Sequence, residues 1–425
     1  MKRAFQPHGQ SGSQSRGYIR LFAVDAVTNW EHQIHMKAII LSLFVPFAAF
    51  AALPSQEQSF IHEVATAQDR GLAWLIKQQE PDGSWRHHPA ITALAATAIL
   101  RAGRPLAPEE QAAADKGIQF IVANIRANGA IYGGDQKDPY PNYSTAICTM
   151  ALLATGKPEY TDALRAARKF LLNSQFDEGE GYETNNPSFG GIGYGKRERP
   201  DMSNMQWSLE ALRLTESLEK PTEKAPHLPS KLHWEKAIRF LQRCQNLPDK
   251  NDQPWVKVAK EEDRGGFIYM PGDPAAGKPP VSFANDGEPV DEKTPLRSYA
   301  SMTYAGLKSY LYAELKKDDP RVTAAVAWLK KNYSVNENPG MGQQGLYYYY
   351  HTVAKALTVY GADTLTDAAG KAHDWRYELM NKLIGQQKTD GFWVNDNNRW
   401  WENDPVLVTS YSLLALEILQ ARQYP

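Results

Sequence analysis

Three titratable residues, Asp201, His351 and Asp404, stand at or near the starts of apolar segments, within Asp201-Met202-Ser203-Asn204-Met205-Gln206, Tyr347 to Thr352 and Glu402-Asn403-Asp404. A histidine beside a carboxylate can take and return a proton near neutral pH, so these three are the candidate catalytic residues. The start of a helix carries unpaired N–H groups and a positive dipole end, which favour polar or anionic ligand groups. Candidates for substrate contact at such positions are Tyr143, Asn204, Gln206, Tyr299, Thr303, Tyr304, Tyr350, Trp400 and Trp401. Long polar side chains such as Asn204 and Gln206 inside apolar segments must find partners in a cavity or reach water. The pair Trp400-Trp401 suits a rim, because aromatic faces beside carboxylates bind sugars, terpenes or cations. Helix capping is the competing role for Ser144, Ser203 and the acids.

Other chemistry is poorly represented. His87-His88 lacks a third ligand at sensible spacing, so no metal site is expected, and no cofactor motif appears: there is no nucleotide loop, metal-binding helix motif or nucleophile elbow. Cys148 and Cys244 read as small buried residues without a neighbouring base, and two cysteines do not make a disulfide scaffold. Lys plus Arg (47) nearly equals Asp plus Glu (48), which leaves no basic field for nucleic acid.

Residues 36–51, Met-Lys followed by a short apolar run ending in Ala49-Phe50-Ala51, have the form of a secretory signal. The run is too short for a stable transmembrane anchor, so the expected location is periplasmic or extracellular. Residues 1–35 are polar and patternless and precede a natural start at Met36; they read as an over-extended, disordered N-terminus. Removing residues 1–51 takes five Lys/Arg and two Asp/Glu, leaving 42 against 46, a net charge of −4.

Repeats organise the remainder, residues 56–425, as a single domain. In residues 70–85 a Trp-Leu pair is followed by Gln79, Gly83 and Trp85, and Leu383, Gln387, Gly391 and Trp393 repeat the spacing. Weaker copies begin at Phe120-Ile121, Phe170-Leu171, Phe240-Leu241 and Trp328-Leu329, with Gln175 and Gln245 again four residues after the Leu. After each copy comes a Gly/Pro/Asp/Asn-rich stretch and then a charge-poor segment, at 91–100, 144–155, 203–215, 298–315, 347–360 and 407–419. Segments apolar all round belong inside, and the amphipathic ones cover them. Since the first and last copies are the strongest, a closed ring fits better than an open array with atypical end caps. The expected fold is therefore all-α, an (α/α)6 toroid of six helix pairs. Its Gln side chains should bond exposed backbone at the start of the next helix while the Trp packs beneath, stapling neighbouring units. Long loops at 177–201 and 246–296 interrupt the array, and 271–295 reads as a flap over the mouth.

These repeats resemble the Gln-Trp repeats of the prenyltransferase and squalene cyclase superfamily. The resemblance implies an α/α barrel around an aromatic cavity that accepts isoprenoid chains. Of the family's catalytic signatures, the Asp-x-Asp-Asp acid of squalene cyclases is absent. Leu296 and Ser298 stand where the zinc-binding Asp and Cys of the prenyltransferases fall, while Tyr350-His351-Thr352 retains the family's Tyr-His-Thr. The leading expectation is thus an exported toroid that binds an apolar, isoprenoid-like small molecule, with its status as an enzyme left open. The alternatives are a carbohydrate-active barrel acting on a glycan and a non-catalytic scaffold for a protein partner.

Overall fold

The computed structural model describes residues 55–133, 140–195, 199–219, 233–272, 278–286, 290 and 293–421; the expected signal segment and the stretch before it lie outside these residues. The chain is mostly helical. Among the described residues there are twelve α-helices and one two-stranded hairpin, Leu365–Thr366 with Ala372–His373.

The even-numbered helices are α2 (Pro89–Leu100), α4 (Pro141–Ala154), α6 (Met202–Leu214), α8 (Ala300–Tyr312), α10 (Leu346–Tyr360) and α12 (Pro405–Gln420). Each of the six charge-poor segments expected to lie inside is helical, and each helix begins within about three residues of the expected start. α2 shows why: Pro-Ala-Ile-Thr-Ala-Leu-Ala-Ala-Thr-Ala-Ile-Leu has no charge to keep in water, and Pro89 occupies the first turn, where its missing N–H costs nothing. Its residues from Pro89 to Ile99 are all buried. These six helices pack in cyclic order, α2 on α4, α4 on α6, α6 on α8, α8 on α10, α10 on α12, and α12 back on α2.

The odd-numbered helices are α1 (Ser55–Lys77), α3 (Pro108–Ala123), α5 (Thr161–Leu172), α7 (Trp234–Arg243), α9 (Pro320–Lys331) and α11 (Trp375–Gln386). They are amphipathic and lie outside: in α7, Ala237, Phe240 and Leu241 face inward while Glu235 and Lys236 remain at the surface side.

Side-chain staples hold neighbouring outer helices together. Gln79 Nε2 donates to Gly83 O (2.9 Å) in its own loop and to Ala113 O of α3 (2.8 Å). Gln175 joins Gly190 O to His233 before α7, and Gln245 joins Gly265 O to Arg321 O of α9. Gln387 donates to Gly391 O and to Ala67 O of α1, tying the last pair to the first. Two of these contacts meet the start of the next outer helix as expected, whereas Ala113 and Ala67 lie well inside theirs. Two copies lack the glutamine: Ile125 stands at its position in one, and in the other Tyr333 does, its hydroxyl donating to Glu378 of α11 (2.9 Å). Trp85 and Trp393 pack beneath, each Nε1 donating to the carbonyl ten residues earlier, Leu75 O and Leu383 O.

The same loops need glycine where they pass under the next helix. Gly190 has φ +86°, and a Cβ there would sit 1.8 Å from Lys236 O of α7, whereas Gly181, at φ +82°, has open space around it. Gly181→Ala should therefore cost only the left-handed backbone term, roughly 1–2 kcal/mol, while Gly190→Ala must also push α7 away. In denaturant melts the second variant is expected to lose several times more stability than the first; equal losses would contradict the stapled geometry.

Candidate functional site

The first turns of the six inner helices meet around one cavity of about 310 Å³, at the lower end of the 300–1,000 Å³ common for ligand pockets. Ala90 and Ile91 of α2, Tyr143 and Ser144 of α4, Ser203 of α6, Ser301 and Met302 of α8, Tyr348 of α10 and Leu407 of α12 all line it. Ten of its twenty-two lining residues are aromatic, so its wall is largely ring faces and edges, with polar atoms from seven tyrosines, three serines, His88 and Glu402 among them. The long loops contribute Tyr194, Tyr269 and Phe283. Phe283, from the 271–295 stretch read as a flap, packs on Tyr269 and on Trp400, with ring centroids 4.7 and 5.3 Å apart.

Trp400 and Trp401 form the rim. They are 43% and 56% exposed, and both take left-handed backbone conformations (φ 54° and 63°) that bulky residues seldom adopt. Such strain persists only where the surroundings over-determine it. Here Arg399 stacks on both Phe283 and Trp400, and Gly345 lies directly beneath the Trp400 ring.

Glu402 follows the two tryptophans and turns into the wall. It is 1% exposed, and its Oε1 accepts the N–H groups of Tyr347 (2.9 Å) and Tyr348 (2.8 Å) in the first turn of α10. Its Oε2 accepts from Asn395 Nδ2 at 2.7 Å. Burial raises its pKa to about 7 against the pull of these donors. A carboxyl poised there can give or take a proton at neutral pH.

Asp201 caps α6, accepting from Ser203 N, Asn204 N and Asn204 Nδ2. Burial raises it to about 6, opposed by these donors and by the Tyr269 hydroxyl. Tyr269 in turn lies 3.2 Å from the Tyr194 hydroxyl, so a hydrogen-bonded path leads from Asp201 to two lining residues. Asp404 caps α12 through Val406 N and Leu407 N and pairs with Arg86 at 2.7 Å. His351 is fully buried on α10 between the rings of Trp207 and Tyr411, each centroid 5.4 Å away. It lines a separate, smaller cavity and hydrogen-bonds neither acid, so the expected meeting of Asp201, His351 and Asp404 at one mouth does not occur.

Of the candidate contact residues, Tyr143, Tyr299, Trp400 and Trp401 line the main cavity. Gln206 stands behind the wall, its Nε2 donating to the Tyr348 hydroxyl at 2.9 Å, and Asn204 is committed to Asp201. Thr303 serves the scaffold: its hydroxyl accepts Phe267 N and donates to Tyr299 O, repeating the bonds by which Thr92, Thr145 and Thr409 accept Trp85 N, Ile131 N and Trp393 N. Tyr304 packs against Tyr349, and the Tyr350 hydroxyl donates to Val335 O, both away from the cavity wall.

The wall also holds His88, Tyr140, Tyr194, Tyr269, Phe283, Tyr348 and Tyr411, which are not among the contact residues expected from the sequence, and Glu402, expected as an acid only in the carbohydrate alternative. His88 had a usable signal: Pro89 at the first helical position makes it the cap of α2, and its Nδ1 accepts Ala90 N. Burial lowers its pKa to about 4, so it is neutral. Among the described residues, no group of three or more His, Cys, Asp or Glu is placed to hold a metal ion, and no helix is long and apolar enough to cross a membrane.

No protein family and no curated protein matches the chain. Solved structures to which it is similar include type II terpene cyclase MstE from Scytonema without ligand, at 12% identity over 85% of this chain and 98% of that one, with a TM-score of 0.48. A variant of that cyclase bound to geranylgeranyl dihydroxybenzoate, its substrate, is 11% identical over 86% and 98% of the two chains, with a TM-score of 0.46. A protein from Actinoplanes is 14% identical over 84% and 99%, with a TM-score of 0.43.

The raised pKa of Glu402 has a stability consequence. Between its ordinary value of 4.5 and about 7 the folded protein holds a proton that the unfolded chain has released, so stability falls as pH rises through that window. The loss is on the order of 3 kcal/mol, at about 1.4 kcal/mol per pKa unit. Urea melts at intervals from pH 4.5 to 8 should show a shallower decline for Glu402→Gln than for the native protein; parallel curves would contradict the assignment.

Proposed function

We propose that the protein is an (α/α)6 toroid of six helix-pair repeats whose central cavity binds an apolar small molecule of the isoprenoid class. The observation that carries this reading is the cavity wall: ten aromatic rings around about 310 Å³, with one carboxyl, Glu402, held near neutrality among them. Ring faces and edges offer a polyene close contact and electrostatic attraction for positive charge. The cyclic packing of the inner helices and the Gln387 staple back to α1 support the repeat reading.

A carboxyl with a pKa of about 7 is a poor acid for an unactivated alkene. It suits proton transfer at an oxygen, or at a carbon activated by one, on the bound molecule. Asp201 is the second acid, reaching the cavity through Tyr269 and Tyr194. The carbohydrate reading has less to stand on, because of Asp201, Glu402 and Asp404 only Glu402 lines the cavity, which leaves no acid pair facing it for hydrolysis. We also infer export, from the Met36 to Ala51 pattern alone.

Native mass spectrometry with farnesol and geranylgeraniol tests the binding claim. A one-to-one complex is expected, weakened about tenfold in Trp400→Ala or Tyr348→Ala by loss of one aromatic contact. Retention of neither alcohol, or equal retention by the native and variant proteins, would contradict it, and selective retention of an oligosaccharide would favour the carbohydrate reading.

A further inference from the structure

Beneath the main cavity, behind Leu94 and Ile147, which line both spaces, lies a second cavity of about 20 Å³. One water-sized group takes roughly 10–15 Å³ on this measure, so the space suits one compact ligand. Its wall carries Arg101, His351, Lys355 and Trp207.

The charges around it do not balance. Glu210 of α6 is a single buried carboxylate that binds two buried ammonium groups, Lys308 Nζ at Oε2 and Lys355 Nζ at Oε1, both at 2.7 Å. Arg101, half-buried at the end of α2, adds a third cation whose guanidinium makes no hydrogen bond or salt bridge among the described residues. The other acid nearby, Glu417 of α12, has its Oε2 buried without a partner, and burial drives its pKa well above the ordinary range, towards the neutral form. Even with both carboxyls ionised, three cations face two anions. Uncompensated charge inside a protein is costly, and a bound counter-charge relieves it.

A second observation points the same way. His351 is 1% exposed, lines this cavity, and its Nε2 has no hydrogen-bond partner. A neutral imidazole with its proton on Nε2 supplies a donor beside the two cationic groups.

We propose that this second cavity binds one halide-sized anion, held by Lys355 and Arg101 with the His351 Nε2–H as donor. The site lies towards the C-terminal ends of the inner helices, separate from the aromatic cavity, and does not depend on what that cavity binds. The anion would offset the excess of positive charge around this cavity, coupling the stability of the helix packing to halide.

Thermal melts of the purified protein in sodium chloride, bromide and gluconate at equal ionic strength, with anomalous diffraction from bromide-soaked crystals, test the proposal. The native protein should melt several degrees higher in either halide than in gluconate, with a bromine peak between Arg101, His351 and Lys355. Lys355→Met leaves Lys308 and Glu210 as a balanced pair, so this variant should fold and lose the halide effect. Arg101→Gln should raise the bromide concentration for half of the shift about tenfold, the equivalent of one charge-assisted hydrogen bond. Identical melting of the native protein in chloride and gluconate, or a halide effect that survives in Lys355→Met, would overturn it.

Discussion

Six inner helices begin around one space, and each brings backbone N–H groups that no helix can satisfy internally. That constraint shapes the rest of the site. His88 caps α2, Asp201 caps α6 and Asp404 caps α12, while Asn338 Oδ1 accepts Ser301 N at the start of α8. α10 is different: its preceding residue is Gly345, which offers no side chain, and the carboxylate that serves its first turn comes from Glu402, more than fifty residues later. To deliver it, the chain folds through two left-handed tryptophans, and these become the rim of the cavity. The device that satisfies a helix end thus also places an acid in an aromatic wall.

The electrostatic consequence follows from burial. A carboxylate that accepts three hydrogen bonds would ordinarily ionise easily, but in a wall of rings the loss of water outweighs those donors and Glu402 rises to about 7. Asp201 shows the same contest at about 6. Glu210 shows the opposite result, because two ammonium groups contact it directly and hold it ionised well below the usual carboxylate range. The two ends of the ring therefore differ in kind. The mouth holds near-neutral acids among aromatic rings, and the deep end holds fixed charge.

Much of the scaffold was legible in the sequence because its staples are local and repeated. Gln79, Gly83 and Trp85 mark one outer connection: Gln79 bonds Gly83 and reaches the next outer helix, though at Ala113 inside α3 rather than at its start, while Trp85 packs beneath. The cavity wall was less legible. α10 opens with four consecutive tyrosines and is buried nearly all round, so no polar stripe fixes its rotation; Tyr348 faces the cavity while Tyr350 points to Val335. Tyr194, Tyr269 and Phe283 come from aperiodic loops, where pattern has no purchase. Thr303 resembles a binding residue in isolation and becomes a scaffold residue only beside Thr92, Thr145 and Thr409. His351 and Asp404 illustrate the same limit, since proximity along one mouth was inferred from helix starts, while His351 lies one turn deeper and faces the second cavity.

Glu402 stands in the aromatic wall, where burial raises its pKa to about 7. Infrared difference spectra of the native protein and Glu402→Gln, recorded across pH, isolate the carbonyl band of that one protonated carboxyl. The account predicts a band present at pH 6, absent at pH 9 and half-lost near pH 7. A band already gone by pH 5, the behaviour of an ordinary solvated carboxylate, would contradict it.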